Sequence, residues 1–126
     1  MSFLKKLFGK KDEPIEGADE HLVRVHIPLS SDFGSLEEFD DWSSLEDTLD
    51  EAAQAAGTGY LDGNEVGQGE YTIWLYGKDG GQLAETVRGV LAQVRLPAGS
   101  YLHVRHGGLE DKRAREERIA FAGASE

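Results

Sequence analysis

The stretch YLDGNEVGQGEYTIWLY, residues 60–76, decides the fold. In its second half Tyr71, Ile73 and Leu75 alternate with Thr72, Trp74 and Tyr76, the period-two pattern of a strand with one face on a core. Tyr60-Leu61 opens a partner strand. Asp62-Gly-Asn-Glu-Val-Gly-Gln-Gly69 between them reads as a connecting loop, whose three glycines supply the positive φ angles of a hairpin. On this reading Asp62 and Glu65 shape the loop by bonding local amides.

Upstream, the chain alternates strictly from His21, with Val23, Val25, Ile27 and Leu29 on one side and Leu22, Arg24 and His26 on the other, so a first strand stops near Pro28. Ser35-Leu-Glu-Glu38 and Ser44-Leu-Glu-Asp47 both match capping boxes. Leu45, Leu49, Ala52, Ala53 and Ala56 then recur at helical spacing until Gly57; Leu36, Phe39 and Trp42 form an earlier turn that is either continuous with this helix or kinked at Ser43. Downstream, Leu83, Val87, Val90, Leu91 and Val94 mark a second amphipathic helix ending before Pro97, and Tyr101 to Arg105 alternates as a last strand. Leu109 to Arg118 reads as a loop or frayed helix, and Ile119-Ala-Phe121 as a short edge strand. The order β-α-β-β-α-β predicts a ferredoxin-like α+β sandwich: a four-stranded antiparallel sheet in the order 4-1-3-2 with two helices on one face.

The expected organisation is a basic amphipathic tail over 1–11, an acidic linker over 12–20, the sandwich over 21–107 and an extension over 108–126. With 13 Lys plus Arg against 24 Asp plus Glu the chain carries −11. The charge is segregated: +4 over residues 1–11, −16 over 12–70 and +1 over the rest. Zero Cys excludes disulfides, thiolate metal sites and Cys nucleophiles. No apolar run is long enough for a bilayer span and no signal-peptide core follows Met1, so a cytoplasmic protein is expected. Phe3, Leu4, Leu7 and Phe8 interleave with Lys5, Lys6, Lys10 and Lys11, a pattern suited at most to weak peripheral contact with an anionic membrane.

Asp32 to Glu51 holds nine carboxylates and no Lys or Arg. Like charges so close repel within a Debye length of about 8 Å, and a cationic partner relieves that repulsion. Glu37, Glu38, Asp40, Asp41, Glu46, Asp47, Asp50 and Glu51 are therefore the candidate docking residues of an acidic helix. A second candidate surface is the sheet face away from the helices, where the alternation gathers Arg24, His26, Trp74, Tyr76, Tyr101, His103 and Arg105, a composition typical of recognition or dimer surfaces. The net charge argues against nucleic acid on either face.

No catalytic set emerges. Asp62-Gly-Asn64 fails as a calcium loop because Val66 and Ile73 stand where ligating oxygens are required, and Gly67-Gln-Gly69 lacks the third glycine of a dinucleotide fingerprint. His26 and His103 fall on neighbouring strands and could meet on the sheet, but no carboxylate is seen on the same alternation to complete a metal site. No cofactor is expected.

The run Gly59-Tyr-Leu-Asp62-Gly63-Asn64-Glu65-Val-Gly67-Gln-Gly69, followed by Tyr76-Gly77-Lys-Asp79 and closed by Val104-Arg105-His-Gly107, resembles a family of small bacterial α+β proteins, some associated with toxin immunity. The likeness spans about 21–107 and attaches no catalytic residue to the pattern. Together these readings imply a non-catalytic protein-binding module, an immunity or inhibitor protein that meets a basic partner through its acidic helix. The alternative is a small-molecule-sensing or homodimerising regulatory domain that uses the sheet face.

Overall fold

The structure, a computed structural model, describes residues 19–121. The tail expected over 1–11, most of the linker over 12–20 and the last five residues lie outside these described residues. Seven elements follow in order: β1 (His21–Pro28), α1 (Leu36–Ala56), β2 (Tyr60–Gly67), β3 (Glu70–Gly77), α2 (Gly80–Leu91), β4 (Tyr101–His106) and β5 (Arg115–Ala120). They build an α+β domain in which two helices accompany one five-stranded antiparallel sheet, ordered β2-β3-β1-β4-β5. The first four strands take the order expected from the sequence. The expected count of four is corrected by β5, which pairs with all of β4 from Tyr101 opposite Ala120 to His106 opposite Arg115. Within its span Arg115, Glu116, Glu117 and Arg118 carry charge on both sides, so no apolar alternation announces it; charges on an edge strand also discourage further pairing.

The inward half of the alternation of β1, β3 and β4 is borne out, except that β1 ends before Leu29; on the opposite face Leu22, His26, Thr72 and Tyr76 are buried as well. Val23, Val25, Ile27, Ile73, Leu75, Leu102 and Val104 are fully buried, together with Leu49, Leu83 and Val87 from the helices. Burying each such side chain contributes about 1.5–3 kcal/mol before conformational entropy is subtracted.

Helix α1 begins where Ser35 Oγ accepts the Glu38 N–H and the Glu38 carboxylate accepts the Ser35 N–H, and it ends at Gly57, whose φ of 71° is the left-handed conformation that glycine adopts without strain. It is continuous. The second apparent capping box is therefore interior, and the Ser44 carbonyl instead accepts the Thr48 hydroxyl. Helix α2 is capped by Asp79, whose Oδ1 accepts the Gln82 N–H at 3.0 Å, and it stops at Leu91, so Val94 packs on the core from the following turn.

The hairpin differs most from expectation. β2 runs to Gly67 and pairs with β3 almost throughout, leaving a two-residue turn, Gln68-Gly69. Both residues have positive φ, 55° and 79°, the geometry that matches the twist of paired strands. A bulge between Leu61 and Gly63 takes Asp62 out of the ladder, where it is buried, while Glu65 remains exposed in the strand. Neither shapes a loop.

Candidate functional site

Both surfaces singled out in the sequence can be assessed in the structure. The buried stripe of α1 is Trp42, Leu45, Glu46, Leu49 and Ala53. At 100° per residue, Glu37, Asp40, Asp41, Asp47 and Glu51 fall on the opposite side, and all five are exposed. Among the described residues none of these five carboxylates has an ion-pair partner. The pairs 37/41 and 47/51 are spaced i,i+4, where like charges destabilise an isolated helix by about 0.2–0.5 kcal/mol each. No basic residue occupies the last turn to offset the negative end of the helix dipole.

Three of the eight acids expected on this docking face do structural work instead, which corrects that expectation. Glu46 lies on the buried stripe, four residues after Trp42, and is satisfied there by the Tyr71 hydroxyl and by Asn64 Nδ2 at 2.8 Å. Burial and the neighbouring Glu46 carboxylate push the Tyr71 phenol above its ordinary range. Asp50 Oδ1 accepts the Leu61 N–H at 2.9 Å, tying α1 to the start of β2, and also accepts from Gln54. Glu38 accepts from the Ser30 hydroxyl at 2.6 Å and from two backbone amides, and these bonds, led by Ser30, hold its carboxyl below the usual range.

On the sheet, the register places all seven expected residues on the helix-free face: Arg24 lies opposite Trp74 and His103, His26 opposite Tyr101, and Leu22 opposite Tyr76 and Arg105. The Arg24 guanidinium stands 5.3 Å from the Trp74 ring centroid and donates to His103 Nδ1 at 2.8 Å. That bond fixes the His103 proton on Nε2, which donates to Glu116 Oε1 at 2.7 Å; the other Glu116 oxygen accepts from Arg105 at 3.3 Å. Burial and the adjacent Arg24 charge lower the His103 pKa despite Glu116. His26 stacks on Tyr101 at 4.4 Å and donates to Glu70 Oε1 at 2.8 Å, and the Arg118 guanidinium lies 3.8 Å from the Tyr101 centroid.

Glu70, Glu116 and Arg118 were missed in the sequence reading. Extending the Thr72, Trp74, Tyr76 alternation back by one step finds Glu70, whereas Glu116 and Arg118 arrive on the unannounced β5. Two carboxylates thus do share the face with the histidines, which corrects the expectation that none does. His26 and His103 sit diagonally on β1 and β4 and engage separate carboxylates, and no group of three His, Cys, Asp or Glu among the described residues is placed to hold a metal ion. The other two histidines lie on the helix side: His21 Nδ1 accepts the Gly80 N–H at 2.9 Å, and His106 donates to Glu117 at 2.6 Å.

The cation, aromatic and hydrogen-bonding contacts of the sheet face are made within the domain, where His26 and Tyr76 are buried and Arg24, Trp74, Tyr101, His103 and Arg105 half-buried. What α1 offers is a negative field. No helix among the described residues is long and apolar enough to cross a membrane. No family model, curated protein or solved structure matches the chain.

Proposed function

We propose that the domain is a ferredoxin-like sandwich widened by one edge strand, and that it serves as a non-catalytic bacterial protein-binding module that docks a basic partner on the outward face of α1. The observation that carries this reading is the row Glu37, Asp40, Asp41, Asp47 and Glu51: five exposed carboxylates on one face, with no ion-pair partner among the described residues. Solubility alone is served by charges of mixed sign, whereas a single-sign face tolerates repulsion that a cationic surface removes, and it raises the encounter rate with that surface. At the start of the same helix Leu36 is 85% exposed and Phe33, just before it, 67% exposed. They provide apolar anchors beside the acids, as in interfaces whose core is apolar and whose rim is charged. An immunity or inhibitor role follows from the resemblance of the Asp-Gly-x-Glu-x-Gly and Tyr-Gly-x-Asp elements, and such a role requires binding without chemistry.

The test is affinity capture from an extract of the source organism at low and moderate salt, with wild type and with the Asp40→Lys/Asp41→Lys/Asp47→Lys variant as baits. A stoichiometric basic protein retained by the first and lost by the second supports the reading. A partner retained equally by both sinks it.

A further inference from the structure

The sheet has two edges, and they are held in different ways. At one edge β2 packs against α1 and is bonded to it twice, since Asp50 accepts the Leu61 N–H and Glu46 accepts from the Asn64 amide. At the other, β5 pairs with β4 over all six of its residues and approaches no other element among the described residues. None of these six residues is buried. Glu117 and Ile119 are half-buried, and Phe121, just beyond the strand, joins Ile119 against the core. Apart from the ladder and those two apolar side chains, what fastens β5 among the described residues is charge.

The charges are sorted by strand. β4 carries His103, Arg105 and His106 and no carboxylate, and β5 brings the two carboxylates that answer them. On the helix-free face Glu116 spans His103 Nε2 at 2.7 Å and Arg105 Nη1 at 3.3 Å. On the helix side Glu117 Oε1 meets His106 Nε2 at 2.6 Å and Arg115 of its own strand at 3.0 Å. The Arg118 guanidinium lies over the Tyr101 ring, 3.8 Å from its centroid. The Glu116 and Glu117 side chains are 46% and 40% exposed, so water and salt reach every one of these ion pairs. Exposed pairs are individually weak and are screened by salt, and a segment with few buried apolar contacts opens well below the free energy of global unfolding.

We propose that β5 is a charge-latched strand that detaches from β4 as a unit while the other four strands and both helices stay folded. Arg105 donates to the Gly108 and Asp111 carbonyls, so the first half of the connection stays with β4 and the swing falls after Asp111. Detachment makes β4 the edge of the sheet, its backbone groups on that side unpaired and its His103, Arg105 and His106 relieved of their carboxylates. The latched strand is thus an autoinhibitory cover that keeps a cationic strand edge from pairing with any other chain. This device is independent of the docking role of α1, which β5 does not touch.

Native-state hydrogen exchange of the full-length chain, read by NMR at about 0.05 and about 0.5 M NaCl, tests the latch. The amides that bond β5 to β4 should exchange at least about a hundredfold faster than the slowest amides of β1 and β3 at low salt, and several-fold faster again at high salt, while β1 and β3 do not accelerate. Glu116→Gln/Glu117→Gln, which removes the charges and keeps the size of the side chains, should reproduce the high-salt behaviour of β5 at low salt. Exchange of the β5 amides at the rate of β1 and β3 would overturn the inference, because the strand would then open only with the whole domain. Fast exchange at β5 that is indifferent to salt or to the variant would also overturn it, because the ladder and Ile119 alone would then set the opening.

Discussion

Replacing Tyr71 by Phe removes a single oxygen and tests the idea that Glu46 belongs to the core rather than to the docking face. The ring keeps its edge contact with Phe39, whose centroid is 5.9 Å away, so little packing is lost. Glu46 loses the Tyr71 hydroxyl and keeps only Asn64 Nδ2 at 2.8 Å; that amide in turn loses its 3.3 Å contact with the hydroxyl. A hydrogen bond to a charged group contributes about 1.5–3 kcal/mol, and at a site this buried water does not readily replace it. The expected loss for Tyr71→Phe is therefore about 2 kcal/mol, which lowers the melting temperature of a domain near 100 residues by roughly 8–16 °C. Urea denaturation gives the free energy, with an unchanged m-value as the check that only stability has moved. The double mutant with Glu46→Gln should then cost less than the sum of the singles by about 1 kcal/mol or more, because the two side chains form one network. A loss below about 0.5 kcal/mol for Tyr71→Phe, or strict additivity in the cycle, would refute the reasoning.

Two further outcomes follow from the same geometry. His103 titrates lower in the folded protein than the value near 6.5 that it has unfolded, because burial and Arg24 disfavour its charged form. As pH falls below about 6.5 the unfolded chain therefore takes up the proton first, and stability declines toward the lower folded pKa; above 6.5 this contribution is flat. Urea midpoints of wild type and His103→Gln should diverge only in that acid window, and parallel pH profiles would contradict the assignment. Gly77 lies so close to Thr58 that an added Cβ falls 2.1 Å from the Thr58 carbonyl oxygen, so Gly77→Ala must displace backbone and should cost about 1–3 kcal/mol. A variant with the wild-type denaturation midpoint would show that the contact yields freely.

How much of this was legible in the sequence depended on where apolar periodicity survived. β1, β3, β4 and both helices announce themselves because one face of each is packed with Val, Ile and Leu, and the order of the first four strands follows from their succession. β2 beyond Leu61 reads as a loop because its glycines resemble turn residues. Gly63 instead serves a bulge at φ 148°, and only Gln68-Gly69 forms the turn. β5 was reduced to its last residues because charges occupy both of its sides. The motif over residues 59–79 also changes meaning. Gly59 and Gly77 let two backbone segments touch, Asp79 caps α2 and Asp62 fills a bulge, so these motif residues have structural roles. On the acidic helix the spacing alone separates Glu46 from its neighbours, since it shares the stripe of Trp42, Leu45, Leu49 and Ala53. The bonds that withdraw Glu38 and Asp50 depend on tertiary partners, Ser30 and Leu61, that no local pattern reveals.

The most direct measurement of the central claim is the association rate of the captured partner with wild type and with Asp40→Lys/Asp41→Lys/Asp47→Lys, followed across a salt series. These three carboxylates carry no structural bond among the described residues, so the variant should keep the wild-type fold, as its circular dichroism and melting would show. If the outward face of α1 steers a basic partner, the on-rate of the wild type should fall steeply with salt, and that of the variant should be at least tenfold slower at low salt and nearly independent of it, while dissociation changes less. Equal on-rates and equal salt dependence for the two proteins would contradict the account and return the acidic face to solvation alone.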